Sequence, residues 1–306
     1  MHRLRLLLAL LAISPPFTAA LSFNVSNVFS SHAVLQRGKP LSLWGWGAVS
    51  QRLTAAWVDA TNYTATFDPT GLWRIVFPPA PATFTPFTLS IASSTGDGIA
   101  LTDLLLGDVL GCFGQSNMGA VQVSAMANAS EIVAQAAALG GALRIFQVSG
   151  NLQAPLPMEE FPPSGLIPWQ PPLLGGANGT LLGFSAVCYI MGAALVTEHL
   201  AGVAPVGLLH SSHGGSSIQA WQSPAGANEC GDNSNSWNSS VLYNSNFHPL
   251  AVGPLSMTAV YWYQVRGRAP RPLAARATAR PLNPPRAPLL PLPHAAGRAG
   301  LRHWRT

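Results

Sequence analysis

A serine at position 116 stands in a sequence context that suits a nucleophile. The apolar run Leu104–Phe113 is followed directly by Gly114-Gln115-Ser116-Asn117-Met118. The run predicts a stiff strand, and the glycine after it permits a sharp backbone reversal. Peptide N–H groups at the start of a following helix can hold the oxyanion of an acyl-transfer intermediate. Ser116 is therefore a candidate nucleophile, although small polar residues also occur in ordinary strand-to-helix turns.

The elements after Ser116 predict a parallel sheet that brings further polar residues to the same edge. Predicted helices at Ser124–Leu139 and Phe184–Leu200 alternate with three predicted strands: Leu143–Val148, Val203–His210 and Met257–Gln264. This alternation implies a sheet covered on both faces, with any site at the carboxyl ends of its strands. Ser116, the Ser211–Gly215 segment and Gln264 all fall at such ends, so we expect them to converge.

The residues before Ser116 have the pattern of a small antiparallel β-sandwich. Short aromatic and β-branched runs lie between turn formers. They are Pro40–Gly47, Leu53–Val58, Tyr63–Phe67, Leu72–Phe77 and Phe87–Ile91. Four tryptophans lie in these runs: Trp44, Trp46, Trp57 and Trp73. Tryptophans of small sandwiches usually fill the core, and a sugar-stacking platform is the alternative.

The amino terminus predicts export. Residues 1–20 combine Arg3 and Arg5 with a short apolar stretch and small residues at the end, as signal peptides do. No later apolar run has the length of a membrane span, so we expect a secreted or lysosomal glycoprotein. Five glycosylation sequons fit that route, at Asn24, Asn62, Asn128, Asn178 and Asn238.

Cysteine usage allows one disulfide. The three cysteines, Cys112, Cys188 and Cys230, leave an odd thiol once one pair has formed. Cys112 lies in an apolar strand, so we expect a buried small side chain rather than a reactive group.

The basic charge of the chain is confined to its end. The formal net charge is +5, yet residues before 265 hold seven Lys and Arg against eleven Asp and Glu. Residues 265–306 contain nine arginines and no acid. The charge therefore gives no reason to expect nucleic-acid binding by the folded part. The tail is either a solvated, disordered Arg/Pro-rich extension or a different reading frame or alternative exon, and the abrupt change of composition favours the second.

Ordered sequence blocks resemble the sialate O-acetylesterases, which are SGNH/GDSL-type serine esterases. The blocks are Ala33–Pro40, Gly107–Met118, Val206–Trp221, Leu242–Leu250 and Val260–Gln264. The resemblance implies a flavodoxin-like three-layer α/β hydrolase domain, incomplete here, preceded by the β-sandwich. The expected organisation is a signal peptide at 1–20, the sandwich at 21–105, a partial esterase domain at 106–264 and the tail at 265–306.

The resemblance also implies roles for individual residues. Ser116 is the expected nucleophile towards an acetyl ester, with its own N–H, the N–H of Gly215 and the side-chain amide of Gln264 as oxyanion donors. Three further residues are expected to contact the substrate: Gln115, Asn117 and His213. The expected substrate is an O-acetylated sialic acid or sialoglycan, and neither a cofactor nor a metal is expected. Without the resemblance, Gly214-Gly215 is equally well explained as a sharp turn.

Departures from the family pattern concern the general base. The family commonly has Trp-Gly-Gly-Thr where this chain has His213-Gly-Gly-Ser216, and Gly-Glu where Val265-Arg266 follows Gln264. The family's later Asp-x-x-His-like block is missing, because no Asp or Glu occurs after Asp232. His210 and His213 are alternative bases or ordinary polar residues, and His248 is expected at a helix end. A serine without a base loses most of its reactivity.

The resemblance, taken with these departures, implies a serine esterase that removes O-acetyl groups from sialic acids, weak or inactive in this form. Two alternatives are a glycan-binding protein without chemistry and an unstable splice product.

Overall fold

The structure is a computed structural model that describes residues 22–148, 152–173, 179–229 and 239–264. Its strands in chain order are β1 (Val34–Gln36), β2 (Leu41–Trp46), β3 (Leu53–Ala56), β4 (Asn62–Thr64), β5 (Thr66–Phe67), β6 (Leu72–Phe77), β7 (Thr83–Ser93), β8 (Gly98–Gly114), β9 (Leu143–Val148), β10 (Leu166–Gln170), β11 (Val206–Ser212) and β12 (Ala259–Tyr263). Its helices are α1 (Ser116–Gly119), α2 (Ala129–Ala138), α3 (Ala186–Ala194), α4 (Pro224–Glu229) and α5 (His248–Ala251), with π-helical turns at Leu195–His199 and Tyr243–Phe247.

Strand β8 is the central strand of the large sheet, because four other strands of the described structure pair with it. It is 17 residues long, and its last half is continuously buried because neighbours pair with both of its edges. Towards its start it pairs antiparallel with β7 and parallel with β1, and towards its end it pairs parallel with β11 and β12. A strand buried on both faces needs a nearly unbroken apolar sequence, and Leu104–Phe113 supplies it.

The sheet around the end of β8 is parallel, as predicted, except at one edge. β9 pairs parallel with β11, whereas β10 pairs antiparallel with β9. β6 and β9 have the predicted bounds, and β11 begins three residues later than predicted. Together with the helices, this gives a mixed α/β sheet fold.

The early strands form two groups. β2, β6 and β5 make a separate three-stranded sheet, while β7, β3 and β4 continue the large sheet beyond β8. The predicted boundary between residues 105 and 106 lies inside the continuous strand β8. The division into a sandwich and an esterase domain stays a prediction.

The tryptophans of the early strands belong to the core. Trp44 and Trp73 have no exposed surface, and Trp57 is 5% exposed and stacks on Phe77 with ring centroids 4.4 Å apart. Trp46 is partly buried against the same cluster. The sugar-stacking alternative is therefore wrong for Trp44, Trp57 and Trp73, because no ligand can reach a ring enclosed by side chains.

An ion pair fixes the chain where β1 meets β8. Arg37 donates from Nε and Nη2 to the two carboxylate oxygens of Asp108, at 3.0 and 2.9 Å. Thr258 Oγ1 donates to Asp108 Oδ1 at 2.9 Å, which ties the residue before β12 to the same carboxylate. Burial alone raises the pKa of Asp108, but the hydrogen bonds from Arg37 and Thr258 outweigh it and leave that pKa below its ordinary value.

Three of the five sequons lie among the described residues. Asn24, Asn62 and Asn128 are exposed. Asn178 and Asn238 lie outside the described residues, as do residues 1–20, Cys230 and the tail at 265–306. In the described part of the chain, no helix has the length and apolar character that crossing a bilayer requires.

A disulfide joins Cys112 of β8 to Cys188 of α3 across 76 residues of sequence. Both cysteines are fully buried, so the expectation of a buried Cys112 is confirmed. The bond fastens α3 to the strand that leads to Ser116. α3 begins two residues later than predicted, where Ser185 Oγ caps it by accepting from Cys188 N at 3.1 Å.

Replacing both cysteines, Cys112→Ala with Cys188→Ala, should lower the free energy of unfolding by roughly 3 to 4 kcal/mol, because a cross-link over such a loop restricts the unfolded chain. Urea denaturation of the two proteins measures the difference. Dithiothreitol should destabilise the wild type and leave the double variant unchanged. Equal stability of the wild type and the double variant would contradict this account.

Candidate active site

Ser116 lies at the carboxyl end of β8, as the first residue of α1, and its side chain is exposed. Gly114 has φ +138°, which L side chains rarely adopt, and a Cβ there would overlap the carbonyl of Tyr263. Gln115 N donates to Tyr263 O at 3.3 Å, so the turn is held against the end of β12. The glycine is therefore required by both the reversal and the close approach of β12.

The turn after β11 packs beside Ser116. His213 N donates to Gly114 O at 3.0 Å, and Ser216 N donates to His213 O at 3.3 Å to close a tight turn. Gly215 sits in that turn at φ +74°, a left-handed conformation that favours glycine. The Cβ of Ser116 is 3.9 Å from the point where a side chain on Gly214 would begin. The structure thus brings the candidate nucleophile and the Gly-Gly turn together.

Gln264 follows β12 and reaches the same turn. Its Nε2 donates to the carbonyl oxygen of Ser216 at 2.8 Å, and its Oε1 accepts from Trp262 Nε1 at 3.0 Å. A side-chain amide has two N–H groups, so one remains to donate elsewhere. The predicted oxyanion role of Gln264 therefore rests on this second hydrogen.

The three predicted substrate contacts differ in accessibility. Gln115 is only 7% exposed, and its Nε2 donates to Asn117 Oδ1 at 2.7 Å. Asn117 and His213 are partly exposed. Asn117 and His213 are thus better placed to contact a ligand, and Gln115 is better placed to orient Asn117.

A buried polar network that sequence reasoning missed lies behind the site. Asn244, Ser245 and Asn246 are at most 2% exposed, and their side chains bond main-chain carbonyls of residues 152–155. Ser211 Oγ of β11 donates to Asn246 Oδ1 at 2.8 Å. The segment after β9 is thereby tied to the end of β11. The signal in the sequence was the run of three polar residues between apolar neighbours.

Two other histidines lie away from Ser116's immediate contacts. His248 begins α5, as expected of a helix-end residue, and its Nδ1 lies 2.8 Å from Met158 O. His32 Nδ1 lies 2.6 Å from Asp103 Oδ2. Asp103 precedes the end of β8 by roughly 35 Å of strand, at about 3.3 Å per residue. The His32–Asp103 pair therefore cannot serve Ser116.

His210 is buried beneath the site rather than open to a substrate. Its Nε2 lies 3.1 Å from Ser212 Oγ, and its ring meets Phe184 edge to face. Within the described part of the chain, its Nδ1 has no hydrogen-bond partner. Burial lowers its pKa from 6.5 to about 4, because the imidazolium ion would be poorly solvated there. An imidazole that binds a proton so weakly is a poor general base near neutral pH.

The free energy of unfolding should fall as the pH decreases from about 6.5 towards about 4. In this window the unfolded chain protonates His210 and the folded chain does not, which costs about 2 to 3 kcal/mol of stability. His210→Gln should remove this component in urea denaturation at pH 7.5, 5.5 and 4.5. The exposed His199 provides the control, since His199→Gln should keep the wild-type pH dependence. An unchanged pH dependence in His210→Gln would disprove the assignment.

The chain is similar in sequence to mammalian sialate O-acetylesterases. It is 29% identical over 224 residues to that of Mus musculus, a match that covers 70% of this chain and 40% of the mouse protein. It is 29% identical over 270 residues to that of Homo sapiens, covering 81% of this chain and 49% of the human protein. The chain thus spans less than half the length of these relatives. No protein-family model matches it.

A solved structure shows a similar fold. A carbohydrate acetylesterase from Xanthomonas citri superimposes with a TM-score of 0.66 and is 30% identical, over 79% of this chain and 51% of the bacterial chain. The mixed α/β sheet fold of this chain is consistent with an SGNH-like hydrolase. The chain is therefore similar to sialate O-acetylesterases in sequence and to a carbohydrate acetylesterase in fold, and the resemblance stated for its ordered sequence blocks is confirmed.

Proposed function

We propose that Ser116 is the nucleophile of an acetyl-ester hydrolase site formed by the ends of β8, β11 and β12. One observation carries the proposal. The Cβ of the exposed Ser116 lies 3.9 Å from the point that a Cβ on Gly214 would occupy, in a fold similar to that of a carbohydrate acetylesterase. A hydroxyl next to a glycine turn is part of the arrangement that acyl transfer needs.

The proposed reaction has two steps. Ser116 Oγ attacks the carbonyl carbon of the acetyl ester, and its proton passes to a base. The oxyanion that forms accepts hydrogen bonds from the N–H of Ser116, the N–H of Gly215 and the second N–H of Gln264. The adduct collapses as the C–O bond to the sugar breaks, and the sugar hydroxyl leaves with a proton. Water then attacks the acetyl-serine and releases acetate.

The supply of a base limits the rate of this reaction. Within the described residues, the histidine paired with a described carboxylate is His32, at the far end of β8. His210 faces Ser212 and has a pKa of about 4. These observations rule out His32 and His210 as the base, and the base decides the rate because removing the histidine of a triad hydrolase typically costs ~10⁴- to 10⁶-fold.

The proposed substrate is an O-acetylated sialic acid or sialoglycan. The names of the mammalian relatives support this choice, and the bacterial neighbour supports a carbohydrate ester more generally. We further propose a secreted or lysosomal glycoprotein. The exposure of Asn24, Asn62 and Asn128 is compatible with glycosylation.

The proposal predicts that a fluorophosphonate labels Ser116 and that acetate release from an acetyl ester depends on the same residue. Ser116→Ala should abolish the label and reduce acetate release to the rate of a reaction without the Ser116 nucleophile, so that any release above this rate is lost. Intact-mass and peptide mass spectrometry locate the label, and an enzyme-coupled assay follows acetate. Ser124→Ala, which replaces an exposed serine of the segment after α1, is the matched control and should behave as wild type.

Labelling of Ser116 with very slow acetate release supports Ser116 as the nucleophile of the site. Saturable binding of an O-acetylated sialoside without labelling or acetate release would instead support the glycan-binding alternative and contradict the esterase proposal.

A further inference from the structure

Ser216 joins three segments of the chain through its hydroxyl and its carbonyl group. Its side chain is fully buried, and its Oγ donates to His213 O at 2.7 Å. The same Oγ accepts from Trp221 Nε1 at 2.9 Å. Its carbonyl oxygen accepts from Gln264 Nε2 at 2.8 Å. A serine hydroxyl donates one hydrogen bond and accepts others, so both of its functions are used here.

The contacts of Ser216 continue into a closed ring of four residues. Trp262 Nε1 donates to Gln264 Oε1 at 3.0 Å, and the rings of Trp262 and Trp221 meet edge to face with centroids 5.4 Å apart. Ser216, Trp221, Trp262 and Gln264 therefore contact one another in sequence, and the last returns to the first. We call these four residues the Ser216 ring.

The Ser216 ring borders both groups that would stabilise an oxyanion. Gly215 is bonded directly to Ser216 in the chain, and its conformation is set by the turn that Ser216 closes. Gln264 belongs to the ring itself, and the contact of its Nε2 with the Ser216 carbonyl fixes where its second N–H points. Preorganised donors stabilise a transition state because they do not have to reorient during the reaction.

We propose that Ser216, Trp221 and Trp262 are positioning residues that hold the Gly215 N–H and the Gln264 amide beside Ser116. This proposal rests on the proposed esterase function. It assigns to Ser216 an effect on the rate of the covalent step, through Gly215 and Gln264, rather than on ligand affinity.

The chain supplies a matched control for Ser216. The next residue, Ser217, is also buried, at 1% exposure, but its Oγ has no hydrogen-bond partner among the described residues. Ser216→Ala and Ser217→Ala remove the same atom from neighbouring buried positions, and only the first breaks the ring. Ser216→Thr keeps the hydroxyl. Trp262→Phe, at a position that is 38% exposed, removes one N–H donor of the ring without opening the core.

The experiment measures the saturable reaction of a fluorophosphonate with Ser116, separating the limiting rate of covalent labelling from the apparent affinity. Ser216→Ala should lower the limiting rate about tenfold or more with little change in affinity, and Trp262→Phe should lower it about threefold. Ser216→Thr should stay within about threefold of wild type, and Ser217→Ala should match wild type. Equal rates for Ser216→Ala and Ser217→Ala would overturn the proposal.

Backbone hydrogen exchange separates failure of this proposal from failure of the proposed function. The amides of His213 and Ser216, which donate to Gly114 O and His213 O, should exchange slowly in the wild type and in Ser217→Ala, and faster in Ser216→Ala. If the fluorophosphonate does not label the wild type but the exchange pattern is as predicted, the esterase proposal is wrong. The Ser216 ring then still supports the turn after β11. If Ser216→Ala leaves the exchange rates of these amides unchanged, the positioning role of Ser216 is wrong, whatever the labelling shows.

Discussion

The parallel pairing of the last residues of β8 with β11 on one edge and β12 on the other is the constraint on which the site depends. Its register places Gly114 opposite both Ser212 and Tyr263. Each of the three strands therefore ends at the same level, and the chain leaves each one towards the same side of the sheet. Burial of the long apolar strand on both faces makes a shift of this register costly, because a slip by one residue would exchange its two faces.

Polar contacts refine what the register establishes. The carboxylate of Asp108 binds Arg37 and Thr258, so the start of the paired region is fixed to the residue before β12. At the other end, the Ser216 ring links the turn after β11 to Gln264 after β12. Since buried polar groups are costly without partners, these contacts favour one arrangement of the loops over looser alternatives.

The sequence predicted the elements of this arrangement better than the contacts between them. β6 and β9 have their predicted bounds because alternating or continuous apolar runs there are bounded by turn formers. The alternation of strands and helices was enough to predict that Ser116, the turn after β11 and Gln264 lie at the carboxyl edge of the sheet. In contrast, β8 begins six residues before the predicted Leu104, because its early, mostly solvent-accessible residues are held by pairing with β7, which no local pattern reveals. The predicted helix at Ser124 begins at Ala129, after a short 3-10 turn.

Side-chain roles were harder to predict, since they depend on partners distant in sequence. His210 is buried because Phe184 packs against its ring. One N–H of the Gln264 side chain is already used because it donates to the carbonyl oxygen of Ser216. Neither follows from composition or spacing. The role of Ser216 was missed for the same reason: its partners Trp221 and Gln264 meet it only after β11 and β12 have paired with β8.

The most direct measurement is a crystal structure of the chain after reaction with a phosphonate ester, whose tetrahedral phosphorus imitates the acyl-transfer adduct. The account predicts a covalent bond from Ser116 Oγ to phosphorus, with the phosphoryl oxygen accepting hydrogen bonds from Gly215 N and Gln264 Nε2. An adduct on another residue, or a phosphoryl oxygen directed away from both donors, would contradict it.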